Sequence, residues 1–333
     1  MTQSAKDIVS LGVYPTPVER LPTLGTDKTA LWVKRDDLTN PVYGGNKVRK
    51  LERLLFEARR REKKRIVTVG AAGSHHVLAT ALFGAREGFA VDAVLTPQRE
   101  TPHVVENMRA DLALGARLFT ARTYPGAALG MLLHGGRDAY LVAVGGSNVV
   151  GALGYVDAAF ELADQIAAGA LPEPDAVVVT VGSGGTAAGL AAGFALAGLR
   201  ATVIGVVVSA PAFAIRFWTR RLAREVFWRR AHAEGKLVRT DPARRLELPA
   251  RWLGAGYGEP TEEGRRAMAV AADVGLALDL TYTAKCFAGA LHYVQSARFS
   301  NVLYWHTLSS APLAPLLEKA PDVPARLGRL LRA

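Results

Sequence analysis

Short apolar runs alternate along the chain with longer Ala- and Leu-rich stretches that have helical spacing. The runs predict strands at residues 65–69, 90–95, 117–120, 140–144, 176–181, 203–208 and 302–306. Strands that alternate with helices are typical of parallel sheets covered by helices on both faces. The run 176–181 lacks polar alternation, as a strand buried on both faces requires. The pattern therefore predicts an α/β fold with open parallel sheets.

Length and composition narrow the class of protein. The 333 residues are enough for two domains or one large α/β unit, and the 33 glycines fit tight turns between strands and helices. The single cysteine, Cys286, excludes an intrachain disulfide framework and a cysteine-based zinc site. No apolar segment typical of a signal peptide is found at the N-terminus. We therefore expect a cytoplasmic protein.

One uncharged stretch, residues 176–199, is long enough to span a membrane. It contains six glycines and divides into a Val-rich strand, a Gly-rich turn and an Ala-rich helix. A buried strand–turn–helix explains it better than a membrane span, so we expect a soluble protein with no membrane partner.

The net charge of +11 is concentrated in one region. Residues 214–251 hold eleven basic and four acidic side chains, which leaves +7 there. Phe213, Phe217, Trp218, Leu222 and Phe227 fall near helical spacing and predict an amphipathic helix with a basic face. A solvated or subunit-facing helix is favoured over an RNA-binding one. No nucleic-acid-binding motif accompanies it, so no nucleic-acid partner is expected.

A lysine in the segment Gly44-Gly45-Asn46-Lys47 is the first candidate for chemistry. The segment leads into an apolar-periodic helix, and the glycines let the backbone approach a bound group. A helix N-terminus and partial burial both disfavour the ammonium form, which lowers a lysine's pKa toward the neutral amine that forms Schiff bases. Alone, such a lysine is more often a solvated surface charge.

A glycine-rich turn after the strand 176–181 is the second candidate. Gly182-Ser183-Gly184-Gly185-Thr186 frees backbone N–H groups to converge on an anion at a helix N-terminus. A dinucleotide site would need an acidic residue after the next strand, and a P-loop would need Gly-Lys-Ser/Thr; both are absent. Because the loop holds no cation, the sequence predicts a phosphate held by amides and hydroxyls, with a structural turn as the alternative.

A Schiff-base lysine and a phosphate cup together fit pyridoxal 5′-phosphate. With these motifs the chain resembles the fold type II, tryptophan synthase β-like enzymes, and within them the D-cysteine desulfhydrase and 1-aminocyclopropane-1-carboxylate (ACC) deaminase group. The resemblance covers most of the chain. It is carried by residues 34–38, 44–50, 144–147, 151–155, 256–261 and 282–285. It implies two open parallel-sheet domains, the larger formed by 1–51 and 162–333 and the smaller by 52–161, in a homodimer.

The resemblance also implies roles for individual residues. Lys47 would bond the cofactor and move the substrate's Cα proton, while Ser74 and Tyr282 would complete the catalytic set. The cofactor would contact Lys47, His75, Gly182, Ser183, Gly184, Gly185, Thr186 and Thr307. The substrate would contact Ser74, His76, Tyr257 and Tyr282. Ser74 could equally be a helix N-cap, and isolated tyrosines are usually core or rim residues. Adjacent His75 and His76 diverge on a helix, so no metal site is expected.

Three positions depart from the family pattern. His75 replaces an asparagine that donates to the cofactor's phenolic oxygen, and a neutral imidazole does this in one tautomer only. Residues 308–310, Leu-Ser-Ser, replace a segment with two glycines after Thr307. Thr283 replaces the glutamate of ACC deaminases, which argues against ring opening of ACC because that reaction depends most on a protonated cofactor ring.

The resulting hypothesis is a pyridoxal-phosphate-dependent lyase that eliminates a β leaving group from a small amino acid, with D-cysteine as leading substrate. Pyruvate, sulfide and ammonia would be the products. The alternatives are ACC deamination or another β-elimination, a cofactor-binding protein with weakened catalysis, and a nucleic-acid partner for the basic helix.

Overall fold

The computed structural model describes residues 8–235 and 240–332, and strands and helices alternate through most of these ranges. The strands are β1 (Val18–Arg20), β2 (Ala30–Arg35), β3 (Arg65–Ala71), β4 (Ala90–Thr96), β5 (Gln98–Arg99), β6 (Arg117–Thr120), β7 (Ala139–Val142), β8 (Ala176–Val181), β9 (Thr202–Val207), β10 (Leu246–Glu247), β11 (Asn301–His306) and β12 (Leu331–Arg332). Each of the seven predicted strands is present, with its ends within two residues of the prediction.

The helices lie between these strands. They are α1 (Asn46–Arg60), α2 (His75–Arg86), α3 (Pro102–Ala113), α4 (Tyr124–His134), α5 (Val149–Ala167), α6 (Gly185–Ala197), α7 (Ala212–Ala233), α8 (Glu262–Ala272), α9 (Thr283–Gln295), α10 (Ala314–Leu317) and α11 (Ala325–Gly328). Short 3-10 turns cover Pro22–Leu24, Asp36–Leu38, Val144–Gly146, Pro242–Arg245 and Arg251–Leu253. The uncharged stretch 176–199 forms β8, a glycine turn and α6, as predicted.

The large unit comprises Gly12–Lys50 and Ser147–Ala311. Its sheet has the strand order β1-β2-β11-β8-β9-β10. All neighbours are parallel except β1, which pairs with β2 antiparallel, so the predicted purely parallel sheet has one antiparallel edge. All six residues of β8 are buried. One apolar cluster packs α5 and α6 on one face of this sheet, and another packs α8 and α9 on the other.

The small unit comprises residues 8–11, Leu51–Gly146 and 312–332. Its four-stranded sheet is fully parallel in the order β6-β4-β3-β7, and β12 pairs with β5 in a separate two-stranded ladder. Helices α2, α3 and α4 contact this sheet or one another. The two units therefore confirm the predicted fold class, parallel sheets flanked by helices.

Several segments fall in the unit opposite to the one given by the predicted domain ranges. Residues 8–11 and 51 were predicted in the large domain, but they belong to the small unit. Residues 147–161 were predicted in the small domain, but α5 packs along α6 in the large unit. Residues 312–332 were predicted in the large domain, but β12 pairs with β5 of the small unit. Residues 171–174 lie in the loop from α5 to β8, inside the large unit.

Helix α7 confirms the predicted basic helix but only part of its predicted apolar face, because Phe227 is buried and Leu222 packs against the core while the other three residues are exposed. Phe213, Phe217 and Trp218 are 75%, 60% and 56% exposed. The residues that pack inward are small or lie later in the helix: Thr219, Ala223, Val226, Phe227 and Ala231. Helical spacing alone did not show which face the sheet would cover. Residues 236 and 239, counted in the basic segment, lie outside the described residues. Within residues 8–235 and 240–332, no helix is both long and apolar enough to cross a membrane.

Candidate active site

Lys47 is the second residue of α1, and the residues before it fix the start of this helix. Gly45 N donates to the Asp36 carbonyl oxygen at 2.8 Å, and Asn46 N donates to the Thr307 carbonyl oxygen at 3.1 Å. Gly45 has φ +90°, and a Cβ there would lie 2.6 Å from the Thr307 carbonyl oxygen. Only glycine fits at position 45, because the start of α1 lies directly against the residue that follows β11.

The Lys47 amine is half-buried, and its Nζ donates to Asn46 Oδ1 at 2.6 Å. Burial lowers the pKa of Lys47 to about 8, although the negative charge of Asp279 acts to raise it. A larger fraction of the Lys47 amine is therefore neutral near pH 7 than in an ordinary lysine. The amine is thus prepared to act as a nucleophile or a base.

A buried cluster of charged and polar groups holds α1 against the large unit. Asp36 accepts hydrogen bonds from Arg49, Thr16 Oγ1, Tyr155 OH and Trp305 Nε1. Burial acts to raise the pKa of Asp36, but the charge and hydrogen bonds of Arg49 outweigh it and the pKa is lowered. The carboxylate is therefore ionised and fixes the helix that carries Lys47.

The predicted phosphate loop forms a compact cup between β8 and α6. Gly184 is the N-cap of α6 with φ +89°, and a Cβ on Gly185 would lie 2.5 Å from Ser147 Oγ. Gly185 N donates to Ser147 Oγ at 3.0 Å, and the Ser147 and Ser183 hydroxyls are 2.7 Å apart. The cup opens at a helix N-terminus, where N–H groups and the helix dipole favour an anion.

Lys50 supplies the cation that the sequence did not predict at this cup. Its Nζ donates to Ser147 Oγ at 3.3 Å and lies 3.0 Å from the position of a Cβ on Gly185. Burial, and then the charge of Lys47, lower the pKa of Lys50 well below its usual range. A phosphate dianion bound at the cup would favour the charged form of this buried amine, which lies beside N–H and O–H donors. The prediction of a phosphate held mainly by amides and hydroxyls stays a prediction, with Lys50 as an additional candidate.

The cup and the lysine are joined directly. Asn46 Nδ2 donates to Thr186 Oγ1 at 3.0 Å, while Asn46 Oδ1 accepts from Lys47. One asparagine side chain therefore links the reactive amine to the phosphate loop. Sequence reasoning assigned Asn46 no role.

Two predicted tyrosines also meet at the cup. The hydroxyls of Tyr257 and Tyr282 are hydrogen-bonded, and their rings pack edge to face with centroids 5.7 Å apart. A Cβ on Gly182 would lie 3.4 Å from Tyr282 Cε1, so the Tyr282 ring lies against the phosphate loop. The loop before α9 is fixed by Asp279, whose carboxylate accepts from Thr281 N and Tyr282 N at 3.0 and 2.9 Å.

Thr283 and residues 308–310, which depart from the family pattern, make hydrogen bonds within the large unit. Thr283 Oγ1 donates to Asp279 Oδ1 at 2.6 Å and is buried. Ser309 Oγ accepts from Gly44 N at 2.9 Å, which ties this segment to the loop before Lys47. Leu308 and Ser309, which stand where the resemblance implies two glycines, do not have positive φ, so glycine is not needed here for backbone conformation.

Ser74, His75 and His76 lie in the small unit, at the turn from β3 to α2. Ser74 is the N-cap of α2, with its Oγ accepting from His76 N at 3.3 Å, as its alternative role predicts. The His76 ring is 3% exposed, with Nε2 2.9 Å from Thr68 Oγ1 of β3, which favours a core position. The parts predicted for these three residues in cofactor and substrate binding stay predictions. In the part of the chain that the structure describes, no group of three or more His, Cys, Asp or Glu side chains could hold a metal ion.

Comparison with known proteins agrees with this geometry. The family model described as "Pyridoxal-phosphate dependent enzyme" matches residues 9–307. The chain belongs to this family. It is 36% identical over 321 residues to the D-cysteine desulfhydrase of Klebsiella pneumoniae (strain 342), covering 88% of this chain and 91% of that protein. It is 32% identical over 310 residues to a putative 1-aminocyclopropane-1-carboxylate deaminase of Thermotoga maritima, covering 90% and 95%.

Solved structures show the same relationship. A crystal structure of an ACC deaminase homologue matches with a TM-score of 0.78 and 28% identity, covering 93% of this chain and 96% of the other. A fungal L-serine ammonia-lyase from Rhizomucor miehei shares the fold, with a TM-score of 0.64 and 17% identity. The predicted family and its cofactor, pyridoxal phosphate, are thereby confirmed.

The residues of the large unit fit this cofactor. The cup offers N–H, hydroxyl and ammonium donors for a phosphate, and Lys47 offers an amine of lowered pKa for the aldehyde. Lys50 could have been found from the sequence, because a residue three positions after Lys47 lies on the same face of a helix. Ser147 lies in a segment that carries the resemblance but was assigned no role, and Asp279 lies outside all of these segments.

Proposed function

We propose that this pyridoxal-phosphate-dependent enzyme eliminates a leaving group from the β carbon of a small amino acid, with D-cysteine as the leading substrate. D-cysteine and water would give pyruvate, ammonia and hydrogen sulfide. The observation that carries the proposal is the Lys47 amine, of lowered pKa, joined through Asn46 to a phosphate cup. The choice of D-cysteine is supported by relatives named D-cysteine desulfhydrase at 36% and 34% identity.

Cofactor binding is assigned to groups from four segments. Lys47 would bond the cofactor through its amine. The N–H groups and hydroxyls of 183–186, with Ser147 and Lys50, would hold the phosphate. Thr307, next to the start of α1, stays assigned to the cofactor as the resemblance implies. When bound, pyridoxal phosphate supplies an electron-withdrawing ring that makes the substrate's Cα–H bond acidic.

Proton movement is assigned to two groups of the large unit. When it is not bonded to the cofactor, the Lys47 Nζ would take the Cα proton of the substrate, with Asn46 Oδ1 orienting the amine. The Tyr282 hydroxyl, hydrogen-bonded to Tyr257, donates a proton to the sulfur as the Cβ–S bond breaks. The electron pair of that bond leaves with the sulfur, and the remaining enamine hydrolyses to pyruvate and ammonia.

Substrate binding is assigned partly to the small unit. Ser74 caps α2, and a helix N-terminus favours a carboxylate, so Ser74 and the first N–H groups of α2 would hold the carboxylate of the substrate. We propose that His75 lies beside the cofactor. The assignment of His76 to the substrate site rests on the family resemblance alone.

ACC deamination is the second candidate, because the Thermotoga maritima relative carries that putative name at 32% identity. Thr283 argues against it, since its hydroxyl is hydrogen-bonded to Asp279 and a neutral side chain is a weaker partner for a protonated cofactor ring than a glutamate. ACC has no Cα proton to remove, so its ring opening depends more strongly on that protonation.

The test is keto acid formation by purified, cofactor-loaded protein supplied separately with D-cysteine, L-cysteine and ACC. Pyruvate and sulfide in equal amounts from D-cysteine establish the proposed reaction. Formation of 2-oxobutyrate from ACC would replace it with the second candidate. Bound cofactor without turnover of any of the three would favour a binding protein with weakened catalysis.

We also propose a cytoplasmic homodimer, as the family resemblance implies. Sedimentation equilibrium of the loaded enzyme tests the oligomeric state: a mass of about twice 35.5 kDa is expected, and a monomer mass at micromolar concentration excludes the dimer.

A further inference from the structure

Two histidine rings meet at the N-termini of neighbouring helices in the small unit. His75 is the first residue of α2 and His103 is the second residue of α3. Their Nε2 atoms are 3.0 Å apart, with ring centroids 4.7 Å apart and planes at 41°. At this distance two neutral imidazoles share one hydrogen bond, so one Nε2 carries the proton and the other accepts it.

Asn107 decides which ring accepts. This side chain is fully buried one turn after His103, and its Nδ2 donates to the Gly73 carbonyl oxygen at 2.8 Å. That carbonyl can only accept, so it fixes the amide with its NH₂ group on this side. The same Nδ2 lies 3.3 Å from His103 Nε2. Its second hydrogen needs an acceptor there, so His103 Nε2 carries the lone pair and the ring proton of His103 is on Nδ1.

We propose that His103 is a positioning residue that, with Asn107, holds His75 in the tautomer whose Nε2 carries the proton. The His75 Nε2–H donates to His103 Nε2, which also receives the weaker hydrogen bond from Asn107. The two rings are therefore opposite tautomers. In this tautomer the lone pair of a neutral His75 ring is on Nδ1.

The backbone around the pair keeps the rings in place. Gly73, just before α2, has φ +69°, and a Cβ there would lie 2.6 Å from Val104 Cα, the residue after His103. The Thr101 hydroxyl caps α3 by accepting from Val104 N. These contacts hold the two helix N-termini, and with them the two rings, in one arrangement.

The consequence for catalysis rests on the proposed function. His75 occupies the position at which the resemblance implies an asparagine that donates to the cofactor. In the tautomer fixed by His103, neutral His75 offers an acceptor at Nδ1, and it becomes a donor there only by taking up a second proton. His103 would thus determine whether His75 can replace that asparagine, a property that the sequence pattern of Ser74-His75-His76 does not reveal.

The test is the ring ¹⁵N spectrum of the loaded enzyme labelled at its seven histidines, recorded about two pH units above the ordinary histidine pKa. Signals of the pair are assigned with His75→Asn and His103→Gln, and His134→Gln is the matched control from the same unit. We expect a protonated Nε2 in His75 and a protonated Nδ1 in His103. Asn107→Leu should return His103 toward the mixture of tautomers found in free histidine. The same tautomer in both rings, or the reverse assignment, overturns the proposal whatever the enzyme's activity.

The functional part is tested by a double-mutant cycle on keto acid formation. Because His103 keeps the proton off His75 Nδ1, His103→Leu should free His75 to donate there and raise kcat about ten-fold, the value of one hydrogen bond. His103→Gln, whose oxygen still accepts from His75 Nε2, should leave kcat near the wild-type value. In a His75→Asn background, His103→Leu should have less than about a two-fold further effect, because an asparagine side chain has no tautomer to be fixed. Equal effects of His103→Leu in both backgrounds would show that His103 acts independently of His75. Without turnover of any substrate, the proposed function fails, and the ¹⁵N result still decides the pairing.

Discussion

Arg49 holds Asp36 through two of its guanidinium nitrogens. Nε lies 3.1 and 3.0 Å from Oδ1 and Oδ2, and Nη2 lies 2.8 Å from Oδ1. The third nitrogen, Nη1, donates to Glu161 Oε2 at 2.9 Å, which links α1 to α5. Because Arg49 follows Lys47 by two residues, this ion pair fixes the direction of the helix turn that carries the reactive amine.

Asp36→Asn should therefore destabilise the protein severely. The substitution leaves the buried Arg49 guanidinium with half of its counter-charge, and removal of one partner from a buried pair typically costs about 3–5 kcal/mol. The free energy of unfolding, from denaturant titration of the loaded enzyme, checks this. A loss below about 1 kcal/mol would show that Glu161 alone satisfies Arg49.

The matched control for this substitution is Glu225→Gln. Glu225 pairs with Arg221 at 2.8 Å, but these side chains are 44% and 57% exposed. An exposed pair at this helical spacing contributes little, so the unfolding free energy should change by less than about 0.5 kcal/mol. The two variants together separate the effect of burial from the effect of losing a carboxylate.

The sequence predicted the strands that are marked by an apolar run and missed those that are not. Residues 176–181 are found as predicted because a continuous apolar run between turn residues has few other solutions. β2 was missed because Val33-Lys34-Arg35 looks like a polar loop. Lys34 is nonetheless buried, since Glu161 and Gln165 of α5 accept hydrogen bonds from its Nζ. Partners so distant along the chain cannot be recognised by local periodicity.

Attachment of pyridoxal phosphate to the apoprotein should accelerate with pH and level off above about pH 8. Only the neutral Lys47 amine is a nucleophile, and its fraction rises as pH passes the lowered pKa of about 8. The rate of appearance of the bound cofactor's absorbance, measured across pH, checks this. Asp279→Asn should move the midpoint to lower pH, because the Asp279 charge raises the pKa of Lys47. A midpoint near the ordinary lysine value would contradict the burial of the amine.

Lys47→Ala should abolish both cofactor attachment and turnover. Loss of a general base typically lowers the rate at least 10²–10⁴-fold, and loss of the attaching amine adds to this. The exposed Lys28→Ala is the control and should leave keto acid formation unchanged. Turnover by Lys47→Ala at the wild-type rate would remove Lys47 from the mechanism.

Lys50→Met should weaken cofactor binding while leaving the reactive amine in place. A charge-assisted hydrogen bond is worth about 1.5–3 kcal/mol, so the Kd of pyridoxal phosphate should rise by about 10- to 150-fold. Equilibrium binding to the apoprotein measures it, with Ser147→Ala as a comparison that removes the neighbouring hydroxyl but keeps the charge. If pyridoxal, which lacks the phosphate, is weakened as much as pyridoxal phosphate, Lys50 does not bind the phosphate.

The candidate site was predictable where one short segment carries the chemistry. Gly182 to Thr186 and Gly44 to Lys47 are contiguous, so turn, helix start and reactive group can be recognised together. Lys50 was not predicted because the glycine loop itself contains no cationic residue. The amine beside the loop comes from α1, which is distant along the chain. His103 and Asn107 could not have been found, because their effect on His75 depends on two helix N-termini meeting.

Tyr282→Phe should separate proton donation from other roles of this tyrosine. It removes the hydroxyl proposed to protonate the departing sulfur, so kcat for D-cysteine should fall about 10²–10⁴-fold with little change in KM. Tyr257→Phe should cost about ten-fold or less, because Tyr282 keeps its own hydroxyl. β-Chloro-D-alanine provides the discriminating substrate, since chloride leaves without a proton. Tyr282→Phe should therefore retain most of its activity on this compound. An equal loss of activity on both substrates would show that the Tyr282 hydroxyl acts on the Cα proton or the cofactor rather than on the leaving group.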